Sequence, residues 1–390
     1  MNFTIIFYIS LALLGALLII NARKRSSDEK TFFDRILSKE IQGFLAVFII
    51  LHQTVVTLNN FYIGSDTMKE FYNYYFYGIL AVAFFFFCSG FGLIKRRMTD
   101  ADYTRGFMKR RIFTVLVPYF ICNYIYLTEA LLGNIRYGNH FTFTEVICAF
   151  FGLFLVNNQM WFAVEIMILY TAFWIIFGKV RKVKTGILLM TVVVFVMVTI
   201  GFFSGHSFSL TMSYWFKGEW WYNTIFMFPV GMLYAYKEER INNIIRKAFT
   251  AIILSSAALF VLLDYTHREL VDRMIYYTGD PFKPGAIMDR LTGLGEETIF
   301  ELVFIILVIT VVSRIRIGNP VLKFLGKISL ETIMLNYLMI ENLFFVYKRY
   351  GIGIYFAAVI VSTIVIASFV YLIKNMVLER RSGLFDGEVS

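Results

Sequence analysis

Eleven apolar segments follow one another along this chain, each close to the length of a membrane-spanning helix, with polar stretches between them. A helix that crosses the hydrocarbon core of a bilayer needs roughly 17–25 residues. Inside that core every backbone N–H and C=O must be paired within the protein, which a helix achieves by itself. The sequence therefore predicts an all-α polytopic membrane protein with helices near residues 3–20, 40–58, 76–94, 112–132, 160–177, 186–203, 222–236, 248–264, 297–312, 329–346 and 353–373.

The composition excludes a soluble fold and argues against nucleic acid as a partner. Hydrophobic residues make up 58% of the 390 residues and charged residues 16%, against about 25% charged residues in soluble domains. The net charge of +10 comes from Lys and Arg residues that lie between the apolar segments, where they act as topology signals. The three cysteines lie inside apolar segments without the spacing of metal ligands, so we expect neither a disulfide nor a metal site.

The distribution of basic residues predicts the orientation in the membrane. With the N-terminus outside, and with residues 144–156 re-entrant or interfacial, 28 of the 37 Lys and Arg residues fall in inside segments. Positive charge accumulates on the cytoplasmic side, so the sequence predicts an N-out, C-in arrangement. The first apolar segment lacks a basic region before it and a cleavage site after it, which favours a retained helix over a signal peptide.

The chain is expected to form one membrane domain, residues 39–373. An N-terminal helix with a basic cytosolic loop, residues 1–38, precedes it, and a cytosolic tail, residues 374–390, follows it. The longest outside loop, residues 265–296, is either a small cap over an outer cavity or a plain connector.

Two titratable side chains lie at membrane depth in the predicted helices. His52 is the only histidine inside a long apolar run, and Glu165 shares a helix face with Trp161, four residues earlier. Burial of such groups in a bilayer is costly, so they usually mark a functional site. A neutral imidazole is able to take a proton from a hydroxyl that attacks an acyl carbon, and Glu165 is a candidate to orient the histidine or the hydroxyl. The alternative for His52 is a packing role with a hydrogen bond to a neighbouring helix.

Basic and small residues occupy the inner end of the third predicted helix and the loop after it. Seven Lys and Arg residues lie between positions 95 and 111, among them Lys109, Arg110 and Arg111. They either anchor the chain at the inner membrane face or bind the phosphates of a nucleotide-bearing donor, for which the planar arginine side chain is suited. Ser89 and the glycine after it allow close approach of a helix or a ligand.

These motifs occur in an order that resembles the integral-membrane acyltransferase 3 family, the bacterial O-acyltransferases that modify sugars and other cell-envelope molecules. The likeness covers about residues 39 to 373. It rests on Gly43-Phe44-Leu45-Ala46 followed by His52, Phe85-Phe86-Phe87-Cys88-Ser89-Gly90-Phe91, Phe107 through Arg111-Ile112 to Pro118-Tyr119, Trp161-Phe162, Phe228-Pro229-Val230-Gly231 and Leu325-Gly326-Lys327-Ile328-Ser329. The family's ten-helix core would correspond to the second to eleventh predicted helices, with an extra N-terminal helix in this chain.

The resemblance implies an acyl-CoA donor, usually acetyl-CoA, that docks at the cytosolic face with its thioester reaching inward between the helices. A histidine would activate a hydroxyl of the acceptor. The candidate site residues are His52 and Glu165 for catalysis, Arg110, Arg111, Lys109 and Ser89 for the donor, and Gln53, Trp161 and Asn336 for the acceptor.

The chain departs from the family pattern at several positions. Ile41 stands eleven residues before His52, where an arginine is common, and Gln159 and Asn336 stand where histidines are common. A shift of the register by one residue would place Gln53 at the histidine position.

The sequence predicts a multi-pass O-acyltransferase of a bacterial plasma membrane, surrounded by lipid, that acts on a carbohydrate or lipid-linked acceptor. Two alternatives remain open: a transporter or flippase of a lipid-linked or sugar intermediate, and an inactive relative that serves as a partner or sensor.

Overall fold

A computed structural model describes residues 3–26, 29, 31–59, 71–132, 142–204, 213–214, 223–273 and 282–386. Within these ranges the strands have two residues each, and all longer elements are helices. The α-helices are α1 Phe3–Ile19, α2 Arg35–Leu58, α3 Tyr72–Phe76, α4 Gly78–Thr99, α5 Phe107–Arg111, α6 Val117–Leu131, α7 Phe143–Phe150, α8 Trp161–Lys179, α9 Val183–Ser204, α10 Met227–Lys247, α11 Phe249–Asp272, α12 Ala286–Val312, α13 Pro320–Lys327, α14 Ser329–Asn342, α15 Phe344–Tyr350 and α16 Ile352–Asp386.

Each of the eleven predicted apolar segments overlaps at least one of these helices, and residues 329–346 are divided between α14 and α15, which agrees with the prediction of a polytopic all-α membrane protein. Seven helical stretches of the described chain are long and apolar enough to cross a bilayer, and α1 contributes a shorter apolar helix. The seven are Arg35–Leu58, Tyr72–Thr99, Phe107–Leu131, Asn158–Lys179, Val183–Phe203, Phe249–Val271 and Ile352–Met376. The number of eleven crossings and the N-out, C-in orientation stay predictions.

Helices α4 and α10 pack closely because each presents a glycine to the backbone of the other. Gly90 of α4 lies against the carbonyl of Phe228, and Gly231 of α10 lies against the carbonyl of Phe87. A Cβ atom at either glycine would overlap these backbone atoms. Small residues at helix interfaces are how membrane helices come close enough to gain dispersion energy. The glycine after Ser89 therefore serves helix packing, one of the two roles predicted for it.

Residues 143–156 do not form a spanning helix. Helix α7 has only eight residues and rises about 12 Å, less than half of the roughly 30 Å of a hydrocarbon core. A capping box between Thr142 and Glu145 starts this helix. The strand Phe154–Leu155 follows it and pairs with Ser213–Tyr214. The Asn123 side chain of α6 donates to the Ala149 carbonyl at 2.7 Å and fastens α7 to the bundle.

The predicted outside loop, residues 265–296, is much shorter in the structure. Helix α11 continues into it as far as Asp272, and α12 begins at Ala286. Residues 274–281 lie outside the described part of the chain, so the cap over an outer cavity stays a prediction. The helices lengthen because polar residues at the ends of a spanning helix still have helix propensity once they leave the hydrocarbon.

The last helix also extends past its predicted end. Helix α16 runs to Asp386, whereas the sequence predicted a separate tail from residue 374 onward. Lys374 is buried and forms an ion pair with Glu331 of α14. Lys374 therefore belongs to the helix bundle, and its partner explains how a lysine lies inside it.

The segment between α1 and α2 is fastened to the α12–α13 connection. Arg23–Lys24 pairs in antiparallel fashion with Ile315–Arg316. The Arg316 side chain donates to Asp34 at 2.7 Å, and Asp34 caps α2 by accepting from the Leu37 amide. Burial raises the pKa of Asp34, but the Leu37 amide and the Arg316 guanidinium outweigh it and hold this pKa below its ordinary value.

Candidate active site

His52 lies in the second half of α2, and its imidazole contacts the short helix α3. Nδ1 is 2.9 Å from the carbonyl oxygen of Tyr74. A carbonyl only accepts hydrogen bonds, so Nδ1 carries the proton and the neutral ring keeps Nε2 unprotonated. The main chain of α3 thus assigns the tautomer that a general base requires, with its lone pair at Nε2.

The first residue of α4, Gly78, lies directly against the imidazole. A Cβ atom there would overlap the ring, and Nε2 is the ring atom nearest to it. The chain turns between α3 and α4 at Tyr77, which brings the Tyr74 carbonyl and Gly78 to the same imidazole. Tyr77 is in turn held by Arg268 of α11, whose guanidinium donates to the Tyr77 hydroxyl at 2.9 Å.

The residue after His52, Gln53, lines a cavity between α2, α4, α8 and α14. About 340 Å³ of atom-free space lies in and at the mouth of this cavity, including space open to solvent. Its walls combine aromatic and aliphatic side chains with three carboxamides. The lining residues are Ile49, Gln53, Val82, Phe85, Gln159, Trp161, Phe162, Ile333 and Asn336.

This cavity brings together the three residues predicted to bind an acceptor, Gln53, Trp161 and Asn336. The cavity also contains Gln159, which departs from the family pattern, and Phe85, which belongs to the aromatic-Ser-Gly motif. Amide groups donate and accept hydrogen bonds, and aromatic rings pack on the C–H faces of polar rings. The cavity is therefore suited to a small neutral molecule that carries hydroxyl groups.

Asn336 is a fully buried cavity residue whose side-chain amide is unpaired among the described residues. It is 0% exposed, and neither its amide nitrogen nor its amide oxygen has a hydrogen-bond partner within the described part of the chain. Buried polar side chains in proteins are nearly always paired, since an unpaired group costs about 1–3 kcal/mol. A ligand hydroxyl or a bound water would recover that free energy.

Glu165 is on α8, one turn beyond Trp161, and does not line the cavity. It is 1% exposed, and both carboxylate oxygens lack a hydrogen-bond partner among the described residues. The Nδ1 atom of His52 contacts the Tyr74 carbonyl and not this carboxylate. Orientation of the histidine thus comes from the main chain, which leaves a contact with an acceptor hydroxyl as the remaining candidate role of Glu165.

The structure separates the two arginines that were predicted to bind the donor. Arg110 is exposed and donates to the carbonyls of Tyr103 and Arg105, at 2.7 and 3.1 Å, so it holds the loop before α5. Arg111 turns inward, with its guanidinium 4.4 Å from the ring centre of Tyr170 on α8. Its Nη2 donates to the Tyr103 hydroxyl at 3.0 Å.

The other two predicted donor residues differ in their surroundings. Lys109 is exposed next to Arg110, in keeping with either a phosphate contact or membrane anchoring. Ser89 is half-buried on α4, one residue before the glycine that packs on α10. Neither Lys109 nor Ser89 lines the cavity next to His52.

A further histidine, His267 on α11, is buried in the structure and was not among the predicted site residues. It is 2% exposed, and its Nδ1 lies 3.2 Å from Glu296 on α12. Its ring also contacts Phe76, at the end of the same short helix that binds His52. The residue was overlooked because residues 265–296 were predicted to be a loop. The helical spacing of polar residues that follows the apolar run was the signal that would have found it.

Comparison with known families identifies the family to which most of the chain belongs. The family model described as "Acyltransferase domain" matches residues 41–372, which include His52, the cavity residues and Glu165. No curated protein and no solved structure gives a match.

Proposed function

Since this chain belongs to the acyltransferase 3 family of membrane acyltransferases, we propose that it transfers an acetyl or other short acyl group from coenzyme A to a hydroxyl group. The proposed acceptor is a cell-envelope carbohydrate or a related lipid-linked molecule. The proposed location is the plasma membrane of a bacterium, with the donor on the cytosolic side.

The observation that carries this proposal is the His52 tautomer beside an amide-lined cavity. The hydrogen bond from Nδ1 to the Tyr74 carbonyl leaves Nε2 as the proton acceptor. His52 itself does not line the cavity and its Nε2 faces Gly78, so the proposal requires the acceptor hydroxyl to extend past Gln53, the next residue of α2, to reach this nitrogen.

The reaction follows from these two features. The acceptor hydroxyl attacks the thioester carbonyl carbon while Nε2 of His52 takes the hydroxyl proton. The carbon–sulfur bond breaks, the acyl group remains on the acceptor oxygen as an ester, and the coenzyme A thiolate leaves. The imidazolium returns its proton to this thiolate, which yields free coenzyme A and restores His52. General base catalysis of this kind is worth about 10²–10⁴-fold in rate.

Acceptor binding is proposed for the carboxamides. Asn336, with both amide groups available to a ligand, would fix one hydroxyl, and Gln53 and Trp161 would complete the contacts. Glu165 is buried, unpaired within the described chain and outside the cavity lining, so its proposed hydrogen bond from the acceptor rests on the sequence and not on the cavity.

We assign the main contact with the phosphates of the acyl-CoA donor to Arg111. Its stacking on Tyr170 fixes the plane of the guanidinium, and a fixed planar fork binds phosphate oxygens bidentately at low entropic cost. Arg110 and Lys109 would add positive charge at the exposed rim. Ser89 would lie along the path of the donor arm. No group of residues in the described chain has the composition of a metal site, and the proposed steps use none.

A test of the base uses purified protein in nanodiscs, radiolabelled acetyl-CoA, and methyl glycosides of glucose, galactose and N-acetylglucosamine as acceptor probes. His52→Asn keeps a side-chain N–H for the Tyr74 carbonyl but removes the base, so acetyl transfer should fall by about 10²–10⁴-fold. The melting temperature should change little. A correctly inserted His52→Asn protein with full activity would exclude His52 as the base.

A second test addresses the donor. Acetyl-CoA should raise the melting temperature of the wild type in a concentration-dependent way, because it binds only the folded state. The shift should disappear in Arg111→Ala and persist, reduced, in Arg110→Ala. Absence of any shift with acetyl-CoA or longer acyl-CoAs in the wild type would contradict the proposal and favour a transporter or an inactive relative.

A further inference from the structure

The hydroxyl of Tyr126 on α6 lies between two backbone groups of α14. It donates to the carbonyl of Met334 at 3.0 Å and accepts from the amide of Leu338 at 2.9 Å. In a regular helix these two groups bond to each other, because residues 334 and 338 are four apart. A side-chain hydroxyl that contacts both is placed within the hydrogen-bond ladder of the helix, which is a recognised cause of local bending.

The turn that Tyr126 contacts is the one that carries Asn336. Successive residues of a helix are about 100° apart, so residues 334 and 338 lie on one side and residue 336 on the opposite side. The cavity lining agrees with this geometry, since Ile333 and Asn336 of α14 both face it. Tyr126 thus holds the backbone of the turn from the side away from the ligand.

Two further polar contacts fasten α14, one at the C-terminal end of the helix and one at the Met334 turn. The Asn342 side chain donates to Glu129 of α6 at 2.5 Å, one turn beyond Tyr126 on that helix. The Asn157 side chain, just before the segment that carries Gln159 and Trp161, approaches the Met334 carbonyl at 3.5 Å. Tyr126, however, is the one that contacts both ends of the turn with Asn336.

We propose that Tyr126 is a positioning residue for acceptor binding: its hydroxyl fixes the α14 turn so that the unpaired amide of Asn336 points into the cavity. This inference rests on the proposed function, because it takes the cavity to be the acceptor site. Tyr126 itself does not line the cavity. It acts through Asn336, which is why a phenylalanine of nearly the same shape would not replace it.

The test compares two substitutions that each remove one tyrosine hydroxyl that is hydrogen-bonded to the backbone of α14. Tyr126→Phe removes the contacts at the turn of Asn336. Tyr355→Phe removes the hydroxyl of a fully buried tyrosine that donates to the Ile340 carbonyl at 2.7 Å, farther along the same helix. We expect Tyr126→Phe to raise the KM for the glycoside acceptor about tenfold, with the KM for acetyl-CoA unchanged. Tyr355→Phe should leave both values near those of the wild type. Equal effects of the two substitutions on the acceptor KM would show a general structural role and overturn the proposal.

A double-mutant cycle separates this inference from the proposed function. If Tyr126 acts through Asn336, Tyr126→Phe should have no further effect in the Asn336→Ala background. Additive effects would overturn the positioning role alone. An Asn336→Ala protein with a wild-type acceptor KM would instead contradict the acceptor site of the proposed function.

A third measurement does not depend on activity. Hydrogen exchange of peptides covering Met334–Leu338 should differ from the wild type in Tyr126→Phe, because the Leu338 amide exchanges its hydroxyl partner for the Met334 carbonyl or for none. In Tyr355→Phe it should not change over these residues. Unaltered exchange in Tyr126→Phe would overturn the proposal even for a preparation without acceptor activity.

Discussion

The imidazole of His52 fills the space that a side chain at residue 78 would occupy. Gly78 is therefore as much a part of the site as the carbonyl of Tyr74 that binds Nδ1. One residue supplies the hydrogen bond that selects the tautomer, and the other leaves room for the ring. Tyr74 belongs to α3 and Gly78 begins α4, so the geometry of the base depends on the turn at Tyr77 that connects these two helices.

Gly78→Ala should displace the imidazole and lower kcat for acetyl transfer by at least about tenfold, since small misplacements of a catalytic group are costly. Gly92→Ala is the matched control, because it changes a glycine of the same helix that has no atom within 4 Å of its would-be Cβ. The measurement is kcat with the glycoside probes, together with the melting temperature. Equal activity of the two variants would contradict a role for the space at Gly78.

At this scale the sequence predicts side chains of which three meet in one cavity, but it does not predict their partners. The cost of burying an imidazole in a membrane pointed to His52, and Gln53, Trp161 and Asn336 do meet in one cavity. The partners of His52 and of α14 are a backbone carbonyl and a tyrosine hydroxyl from other segments. Backbone groups have no sequence signature, so no motif search would have found these contacts.

At the scale of whole elements, close helix pairs depend on glycines. Gly90 and Gly231 let α4 and α10 approach until the backbone of each meets the other. Helix α4 carries Val82 and Phe85 of the cavity wall, so its position relative to the other helices sets the shape of the cavity. The glycines thus stabilise the site through the packing of the helix that forms one of its walls.

Gly231→Ala should destabilise the protein by about 1–3 kcal/mol, as is typical of overpacking in a filled interior. Gly295→Ala provides the comparison, because this glycine lies within α12 with no atom within 4 Å of its would-be Cβ. That change should be neutral or stabilising by up to about 1 kcal/mol, since alanine favours a helix. Thermal unfolding in detergent gives both values. A fully stable Gly231→Ala protein would show that the two helices are not in close contact.

The start of α2 offers a prediction of pH dependence. The pKa of Asp34 is lowered in the folded protein, so the charged form stabilises the fold above the ordinary pKa of 3.8 and this contribution is lost as the pH falls below it. Asp34→Asn keeps a capping side chain but loses the ion pair with Arg316. Because Asp34 is 42% exposed, the loss should be below about 1 kcal/mol. Melting temperatures of the two proteins should differ near neutral pH and converge as the pH falls below 3.8; a constant difference would contradict this assignment.

Length and hydropathy placed all the long helices but misjudged where several of them end. The apolar runs predicted helices because a lipid environment allows little else. The ends of α11 and α16 lie in polar sequence, where hydropathy no longer distinguishes a helix from a loop. Lys374 illustrates the point, because its pairing with Glu331 depends on the neighbouring helix and not on its own surroundings in the sequence.

At the scale of the whole molecule, the proposed reaction needs access from two sides. The inward-facing Arg111 lies at the basic end of the bundle, and α11 and α12 lengthen the opposite end beyond the apolar runs. A donor that carries phosphates and an acceptor from the cell envelope would then approach the cavity from different faces. The orientation of the helices decides whether this arrangement is possible.

Labelling of single cysteines with an impermeant maleimide tests that orientation, in a background where half-buried Cys148 is replaced by serine. Exposed Lys182 precedes α9, and exposed Phe282 lies between α11 and α12, with three helices separating the two positions. The excess of basic residues around Lys182 predicts that it is cytosolic. We therefore expect Phe282→Cys to be labelled in intact cells, and Lys182→Cys only after the membrane is permeabilised.

The reverse labelling pattern would show the opposite orientation in the membrane and would place Arg111 on the outer side, where acetyl-CoA is absent. Labelling of both positions in intact cells would mean an even number of crossings between them, which would exclude α9, α10 and α11 as three consecutive spanning helices.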